Sequence, residues 1–115
     1  MSVEVYASGT QSATVTTEHF LSYVSATGTY VFEVNTTNMV AGDVLELRMY
    51  RRPLSTSTAV VAFFAAFYGA QPTHDVDKIG VPISNYHTAA SAVSFSLKQT
   101  FGTSRNFEWA VIKHA

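Results

Sequence analysis

The chain has 115 residues, a net charge of −1 and no cysteine, and only 13% of its residues are charged, against roughly 25% in an average protein. This length corresponds to one domain, residues 1–115, which can bury a core without disulfides or metals. The low, balanced charge excludes electrostatic binding to nucleic acid or to an anionic membrane. The absence of cysteine excludes disulfides, thiolate chemistry and cysteine-zinc sites. We predict no signal peptide and no membrane-spanning segment.

Turn signals about 10 to 15 residues apart are typical of an all-β sandwich or barrel. We predict that residues 1–8 form an N-terminal arm, which packs either on its own domain or on a neighbour. The predicted strands are, in chain order, residues 3–7, 13–17, 20–25, 29–34, 43–52, 58–68, 78–83, 92–100 and 107–113.

Two runs of alternating side chains, residues 29–34 and 43–52, are the clearest strands. Successive side chains of a strand point to opposite faces, so each run has one face for the core and one for solvent. The connection between them is too long for a two-residue hairpin turn and too short for a crossover helix. It therefore predicts a crossing between two sheets. The apolar side chains that share a face are Tyr30, Phe32 and Val34 in the first run and Leu45, Leu47 and Met49 in the second.

Residues 58–68, T-A-V-V-A-F-F-A-A-F-Y, are apolar on both faces. Their β-rich surroundings and their Val and Phe content favour a strand. The alternative is a buried helix that Ser57 or Thr58 caps and Gly69 ends. A strand of this kind needs cover on its second face, either from the protein's own loops or from another subunit.

The two C-terminal runs are predicted to form one antiparallel pair around the turn at Phe101 and Gly102. Both apolar sets then face the core, with Trp109 as its largest member. We therefore expect Trp109→Ala to cost roughly 3–5 kcal/mol. The predicted core comprises Phe32, Leu45, Leu47, Phe95, Leu97, Phe107, Trp109 and Val111.

The densest polar group, residues 73–78, contains His74, Asp75 and Asp77. Such residues could begin a metal site or an acid–base pair. However, His74 and Asp75 are adjacent and would point apart in an extended segment. We interpret the segment as a solvated surface loop. With no phosphate-binding loop and no nucleophile motif present, we predict no enzymatic activity, no catalytic residues, no metal and no cofactor.

Arginines cluster near the end of the strand at 43–52, at Arg48, Arg51 and Arg52. They indicate either a docking site for an acidic surface or a phosphate, or a charged strand end that keeps the edge soluble. Tyrosines near strand ends could stack on sugar rings, or could be rim residues with solvated hydroxyls. The residues predicted to contact partners are Val3, Val5, Tyr6, Tyr50, Arg51, Arg52, Phe64 and Tyr68.

Several segments resemble a pattern found in small structural proteins of tailed bacteriophages. They are G-T-Y-V-F-E-V-N-T-T-N-M-V-A-G-D-V-L-E-L-R-M-Y at 28–50, A-A-F-Y-G-A-Q-P at 65–72, V-P-I-S-N at 81–85 and S-F-S-L-K-Q-T-F-G-T-S-R-N-F-E-W-A-V at 94–111. The resemblance consists of turn and strand signals, and it transfers no functional residues to this chain. It implies a virion component.

By analogy with other small phage β-sandwiches, we expect a capsid decoration (cement) protein. It would lie on the capsid surface, bind the major capsid protein, and form a homo-oligomer, either a dimer or a trimer. The alternatives are a tail, collar or adsorption component of the virion, or a carbohydrate-binding β-sandwich. The expected fold is an antiparallel β-sandwich of about eight strands, and either a jelly-roll or an immunoglobulin topology would fit the pattern.

Overall fold

The computed structural model describes residues 3–114, and all regular secondary structure in this range is β-strand. None of these residues belongs to a helix that could cross a membrane. The strands are β1 (Val3–Ser12), β2 (Glu18–Val24), β3 (Gly28–Asn35), β4 (Val44–Arg51), β5 (Val60–Tyr68), β6 (Asp77–Ile79), β7 (Ile83–Asn85), β8 (Val93–Phe101) and β9 (Asn106–His114).

The strands form two antiparallel sheets, which confirms the predicted β-sandwich. Sheet A has the order β1-β9-β3-β6, with β7 also beside β3, and sheet B has the order β2-β8-β4-β5. The strand pairs are nested along the chain, since β1 pairs with β9, β2 with β8, β3 with β6 and β7, and β4 with β5. Nested pairs of this kind arise when one long hairpin folds over into two sheets. This topology is a jelly roll.

The same strand order excludes the immunoglobulin topology. In an immunoglobulin domain the first two strands are neighbours in one sheet. Here β1 lies in sheet A and β2 in sheet B. Likewise β3 and β4 lie in different sheets, so the predicted crossing between them is confirmed.

The predicted pairing of the two C-terminal strands is wrong. β8 pairs with β2 and β4 in sheet B, whereas β9 pairs with β1 and β3 in sheet A. The turn between them therefore carries the chain from one sheet to the other. Hydrogen bonds from the Gln99 side chain to the carbonyls of Phe101 and Thr103, at 3.0 and 2.7 Å, stabilise this arch.

The strand predicted at residues 13–17 is also wrong, because this segment is the crossing from sheet A to sheet B. Ala13 is buried, its N–H donates to the Arg105 carbonyl at 2.9 Å, and the Thr16 N–H donates to the Gln99 carbonyl at 2.7 Å. Thr16 has a φ of +72°, a value that occurs in turns rather than in strands.

The strand predicted at residues 78–83 is two short strands, β6 and β7. Between them, Gly80 donates its N–H to the Phe32 carbonyl at 2.7 Å, and Pro82 has no N–H to continue a ladder. Both short strands pair with β3, at its opposite ends. Together they fill one strand position, so the sandwich has the expected eight positions.

Residues 60–68 form strand β5, and the helical alternative is wrong. β5 is an edge strand of sheet B and pairs with β4 over its whole length. Phe63, Ala65 and Phe67 face inward and are partly buried. The opposite face and the outer edge of the strand carry no neighbouring strand.

The core fills the space between the sheets, and its largest fully buried side chains are Tyr30, Phe32, Phe95 and Phe107. The cavity beside Phe32 has a volume of about 20 Å³, which is close to the space that one water needs. The predicted core is confirmed with one correction, because Trp109 is only partly buried. Its ring lies against β1 at Gly9, where a side chain would approach the Trp109 Nε1 to 3.4 Å.

Replacing Phe95 with Ala should cost about 4 kcal/mol, because the ring is fully buried and its removal leaves a cavity. Trp109→Ala should cost about 2.5 kcal/mol, less than the sequence predicts, since part of its ring already contacts solvent. Urea unfolding of both variants measures the difference. A larger loss for Trp109→Ala than for Phe95→Ala would contradict the conclusion that Phe95 lies at the centre of the core and Trp109 at its margin.

Candidate contact surface

The outer face of sheet B carries aromatic side chains from three strands. The alternation that sends Leu45, Leu47 and Met49 inward sends the intervening side chains outward. The exposed fractions are 42% for Phe20, 56% for Tyr23, 49% for Phe64 and 72% for Tyr68. We call this surface the aromatic face. It comprises Phe20 and Tyr23 of β2, Tyr50 of β4, and Val61, Phe64 and Tyr68 of β5.

Two buried serines of β8 allow the aromatic rings to meet. Ser96 lies between Phe20 and Arg48, and Ser94 lies between Tyr23 and Tyr50. Because serine is small, rings from the strands on either side close over it, and Ser94 and Ser96 are only 4% and 0% exposed. The ring of Phe20 stacks on Tyr23 with centroids 5.7 Å apart and lies 5.4 Å from Tyr50. These separations are typical of favourable aromatic pairs.

A polar network under the rings holds Tyr50 in place. The Glu18 carboxylate accepts hydrogen bonds from the Tyr50 hydroxyl at 2.5 Å and from the Ser96 hydroxyl at 2.6 Å. Burial alone would raise the pKa of Glu18, but the bonds from Ser96 and Tyr50 and the charges of Arg48 and Lys98 hold it below 4.5. Burial and the neighbouring carboxylate raise the pKa of Tyr50 above 10.0. At neutral pH the network is therefore a fixed donor–acceptor set.

Charges on the same face are balanced. Arg48 pairs with Glu46 at 2.8 Å, and its guanidinium lies 4.9 Å from the centroid of the Phe64 ring. Lys98 stands between Glu18 and Glu46 in the strand register. Two acidic and two basic side chains thus alternate among the aromatic rings, and the face attracts neither sign of charge strongly.

Comparisons with protein-family models, with curated proteins and with solved structures find no match to this chain. Its function is therefore inferred from the chemistry of its own surfaces.

The structure brings three of the predicted contact residues together, since Tyr50, Phe64 and Tyr68 all belong to the aromatic face. Arg51 and Arg52 lie at one end of this sheet. The Arg51 guanidinium is 5.1 Å from the Tyr86 ring centroid, and Arg52 Nη1 donates to the Ser57 carbonyl at 2.7 Å. Both arginines thus contact their own domain.

The other predicted contact residues belong to β1, at the edge of sheet A. Val3, Val5 and Tyr6 are 60%, 59% and 37% exposed. Tyr6 packs edge-on against Tyr30, with centroids 5.4 Å apart. The described part of the predicted arm is thus a strand paired with β9 of its own domain, and residues 1 and 2 lie outside the described range.

Sequence reasoning missed Phe20 and the Glu18 network. Ser94 and Ser96 alternate with the apolar residues of β8, and this pattern alone does not show that larger rings cover them. The sequence contains one signal of the aromatic face, which is the small size of these two serine side chains. Two serines on a central strand leave room for larger side chains from the neighbouring strands. Recognising that room requires the strand order β2-β8-β4, which the sequence pattern does not supply.

Only the first part of the polar segment at 73–78 is a surface loop as predicted, because Asp77 and Lys78 begin strand β6. His74 and Asp75 are exposed, and Lys78 Nζ binds the Asp75 carboxylate at 3.0 Å. Lys78 also lies 4.9 Å from the Phe67 ring centroid and is itself 9% exposed. Within residues 3–114, no group of three or more acidic or histidine side chains is arranged to hold a metal.

A polar groove crosses the outer face of sheet A. One end has a volume of about 330 Å³ and the adjoining end about 350 Å³. Asn35 lies between the two ends and donates to the Glu108 carboxylate at 3.1 Å. At one end, burial and the negative charge of Asp77 raise the pKa of Glu33. The groove thus presents amides and carboxylates, in contrast to the aromatic face.

Proposed function

We propose that the chain is a capsid decoration (cement) protein, which binds the assembled head of a tailed phage without enzymatic activity. The observation that carries the proposal is the aromatic face. Its partner would be the major capsid protein, and its location the outer surface of the virion. The resemblance of residues 28–111 to small phage structural proteins points to the same role.

The aromatic face has the composition of a protein contact surface. Aromatic and arginine side chains provide most hot spots of protein interfaces, particularly where their surroundings exclude water. Phe20, Tyr23 and Phe64 are held by ring stacking or by the Arg48 guanidinium. Little side-chain entropy would therefore be lost on binding.

Binding through such a face would stabilise a shell by mass action. A ligand that binds the assembled shell and not its dispersed subunits shifts the equilibrium toward assembly. A head offers many identical sites, so a modest free energy of binding at each site suffices. This role requires a compact fold and an adhesive surface, and it requires no chemical step.

The proposal is tested with purified shells that lack this protein. We expect saturable binding and a higher temperature of shell disruption once the sites are filled. Tyr23→Ala combined with Phe64→Ala should weaken binding at least 100-fold, because each ring is expected to contribute about 2 kcal/mol as a hot spot. Ile79→Ala is the matched control, since Ile79 is 65% exposed but lies on sheet A.

Absence of binding to the shells would contradict the proposal, as would an equal loss of binding in the control variant. Quantitative mass spectrometry of purified virions adds an independent measurement. Hundreds of copies per particle are expected for a decoration protein. A few to dozens of copies would instead indicate a tail, collar or adsorption component.

The groove on sheet A favours a second candidate, a carbohydrate-binding module. Amide and carboxylate side chains such as Asn35, Asn38 and Glu108 line it. Amides can donate hydrogen bonds to sugar hydroxyls and accept bonds from them, and carboxylates can accept them. A glycan screen with the wild-type protein and with Asn38→Ala tests this role. Binding that the Asn38 variant loses would support it, and a negative screen would remove it.

A further inference from the structure

Strand β5 is an open sheet edge that carries none of the charges or prolines that usually protect such an edge. Its nine residues, V-V-A-F-F-A-A-F-Y, include no charge and no proline. Natural edge strands are normally protected by charges, prolines or short length. The other edges of this protein follow that rule, because β2 begins with Glu18, β1 carries Glu4, and β6 is three residues long and contains Asp77 and Lys78.

The exposed side chains of β5 are apolar along its whole length. Val60 and Val61 are each 51% exposed, Phe64 is 49% exposed and Tyr68 is 72% exposed. The bulge in this strand pair lies between Phe63 and Val61, so residues 63–68 form a regular strand. A regular, apolar and uncharged edge has the properties of a template for another strand.

We infer that two copies of this chain pair antiparallel through β5, which joins their B sheets into one continuous sheet of eight strands. The partner is a second copy because a strand that is apolar at every position matches itself in any antiparallel register. The neighbouring charges are compatible as well. Glu46 and Arg48 form an ion pair within each copy at 2.8 Å, so two edges can approach without net repulsion.

The symmetry of this pair fixes its geometry. Two identical antiparallel strands are related by a two-fold axis perpendicular to the sheet, and the contact is isologous. Facing side chains point to the same side of the sheet, so one residue must face its own copy, and the axis passes midway between these two identical residues. In the regular part of β5, the central candidates for that residue are Phe64, Ala65 and Ala66.

The size of the contact predicts a reversible dimer. If Phe64 faces its own copy, all nine residues pair and span about 30 Å, and an edge about 20 Å deep with its side chains gives roughly 600 Å² per copy. The total of about 1,200 Å² is at the lower limit of a stable interface. An interface at this limit is expected to be weak and reversible. The two aromatic faces would then lie side by side on one surface, so binding at one copy would raise the effective concentration of the other.

Sedimentation velocity of the full chain, from about 1 to 300 μM, tests the inference. The wild-type protein should pass from monomer to dimer across this range. Val61→Lys should weaken dimerisation at least 30-fold, because it places an ammonium group near each end of the shared apolar edge. Val5→Lys is the matched control, since Val5 is a 59% exposed valine on the edge strand of the other sheet, and it should dimerise like the wild type.

A protein that stays monomeric at 300 μM would overturn the inference and leave the β5 edge to a strand of another protein. Dimerisation that Val5→Lys abolishes and Val61→Lys does not would place the contact at β1 instead. Both variants replace exposed side chains, and thermal unfolding of each one separates lost association from lost folding.

Single cysteines identify the two-fold axis directly, because the chain has no native cysteine. In separate variants Phe64, Ala65 and Ala66 are replaced by Cys. One variant should form an intermolecular disulfide at least ten times faster than Val5→Cys, since directly facing residues have Cβ atoms about 5 Å apart. No acceleration at any of the three positions would overturn the edge pairing. These measurements use the isolated protein, so their outcome does not depend on whether the protein binds a shell.

Discussion

Replacing Gly102 with Ala should cost about 4 kcal/mol, one of the largest effects of any single substitution in this chain. Gly102 lies in the arch between β8 and β9 with a φ of +97°. A side chain there costs about 1–2 kcal/mol from backbone conformation alone. An added Cβ would also collide with Asp43 Oδ1 and lie 2.8 Å from the Asp43 Cα. Because Asp43 is buried and held by several hydrogen bonds, the collision adds about 2 kcal/mol.

Gly42→Ala is the matched control, because Gly42 has nearly the same φ, +94°, but nothing lies within 4 Å of its added Cβ. It should therefore lose only the conformational contribution, about 1–2 kcal/mol. Chemical denaturation of the two variants separates backbone strain from collision. Equal losses would mean that the arch can move away from Asp43, and that this contact does not fix the path of the chain.

This arch is also where the sequence pattern was least informative. The alternation in β8 and β9 correctly predicted which side chains face the core, because period-2 patterning depends only on the strand itself. Pairing depends on the path of the connection, and a turn of this length can close a hairpin or cross to the facing sheet. The crossing is determined by the buried Gln99 side chain and by Asp43, which lies far away in sequence. The sequence of the arch itself therefore cannot indicate its contact with Asp43.

The same distinction separates the predicted and missed parts of the contact surface. Phe64 and Tyr68 were predicted because their strand is apolar on both faces, which is visible in the sequence alone. Phe20 was missed because its exposure and its contact with Tyr50 require β2 and β4 to flank β8. Trp109 was overestimated as a core residue for a related reason. The sequence pattern correctly predicted that Trp109 faces the core. It did not predict that the ring lies against Gly9 of the edge strand β1.

Asp43→Ala should cost about 3–4 kcal/mol, because this carboxylate organises the arch. It is 1% exposed and accepts hydrogen bonds from the Val40 N–H at 3.0 Å, the Thr103 N–H at 3.3 Å and Arg105 Nε at 2.9 Å. Removing it leaves two backbone donors and one guanidinium without their acceptor. Asp77→Ala is the control, since the Asp77 side chain is exposed at the start of β6. As a surface substitution it should cost less than about 1 kcal/mol.

The same carboxylate predicts a pH dependence of stability. Burial alone would raise the pKa of Asp43, but hydrogen bonds from Val40, Arg105 and Thr103 and the charge of Arg105 lower it below 3.8. A pKa that is lower in the folded protein than in the unfolded chain means that the stabilisation is complete above about pH 4 and is lost as the pH falls through the folded-state pKa. The wild-type free energy of unfolding should therefore drop more steeply than that of Asp43→Asn below pH 4. Parallel curves for the two proteins would show that the arch does not depend on the charge of Asp43, and would leave its shape and hydrogen bonds as the stabilising factor.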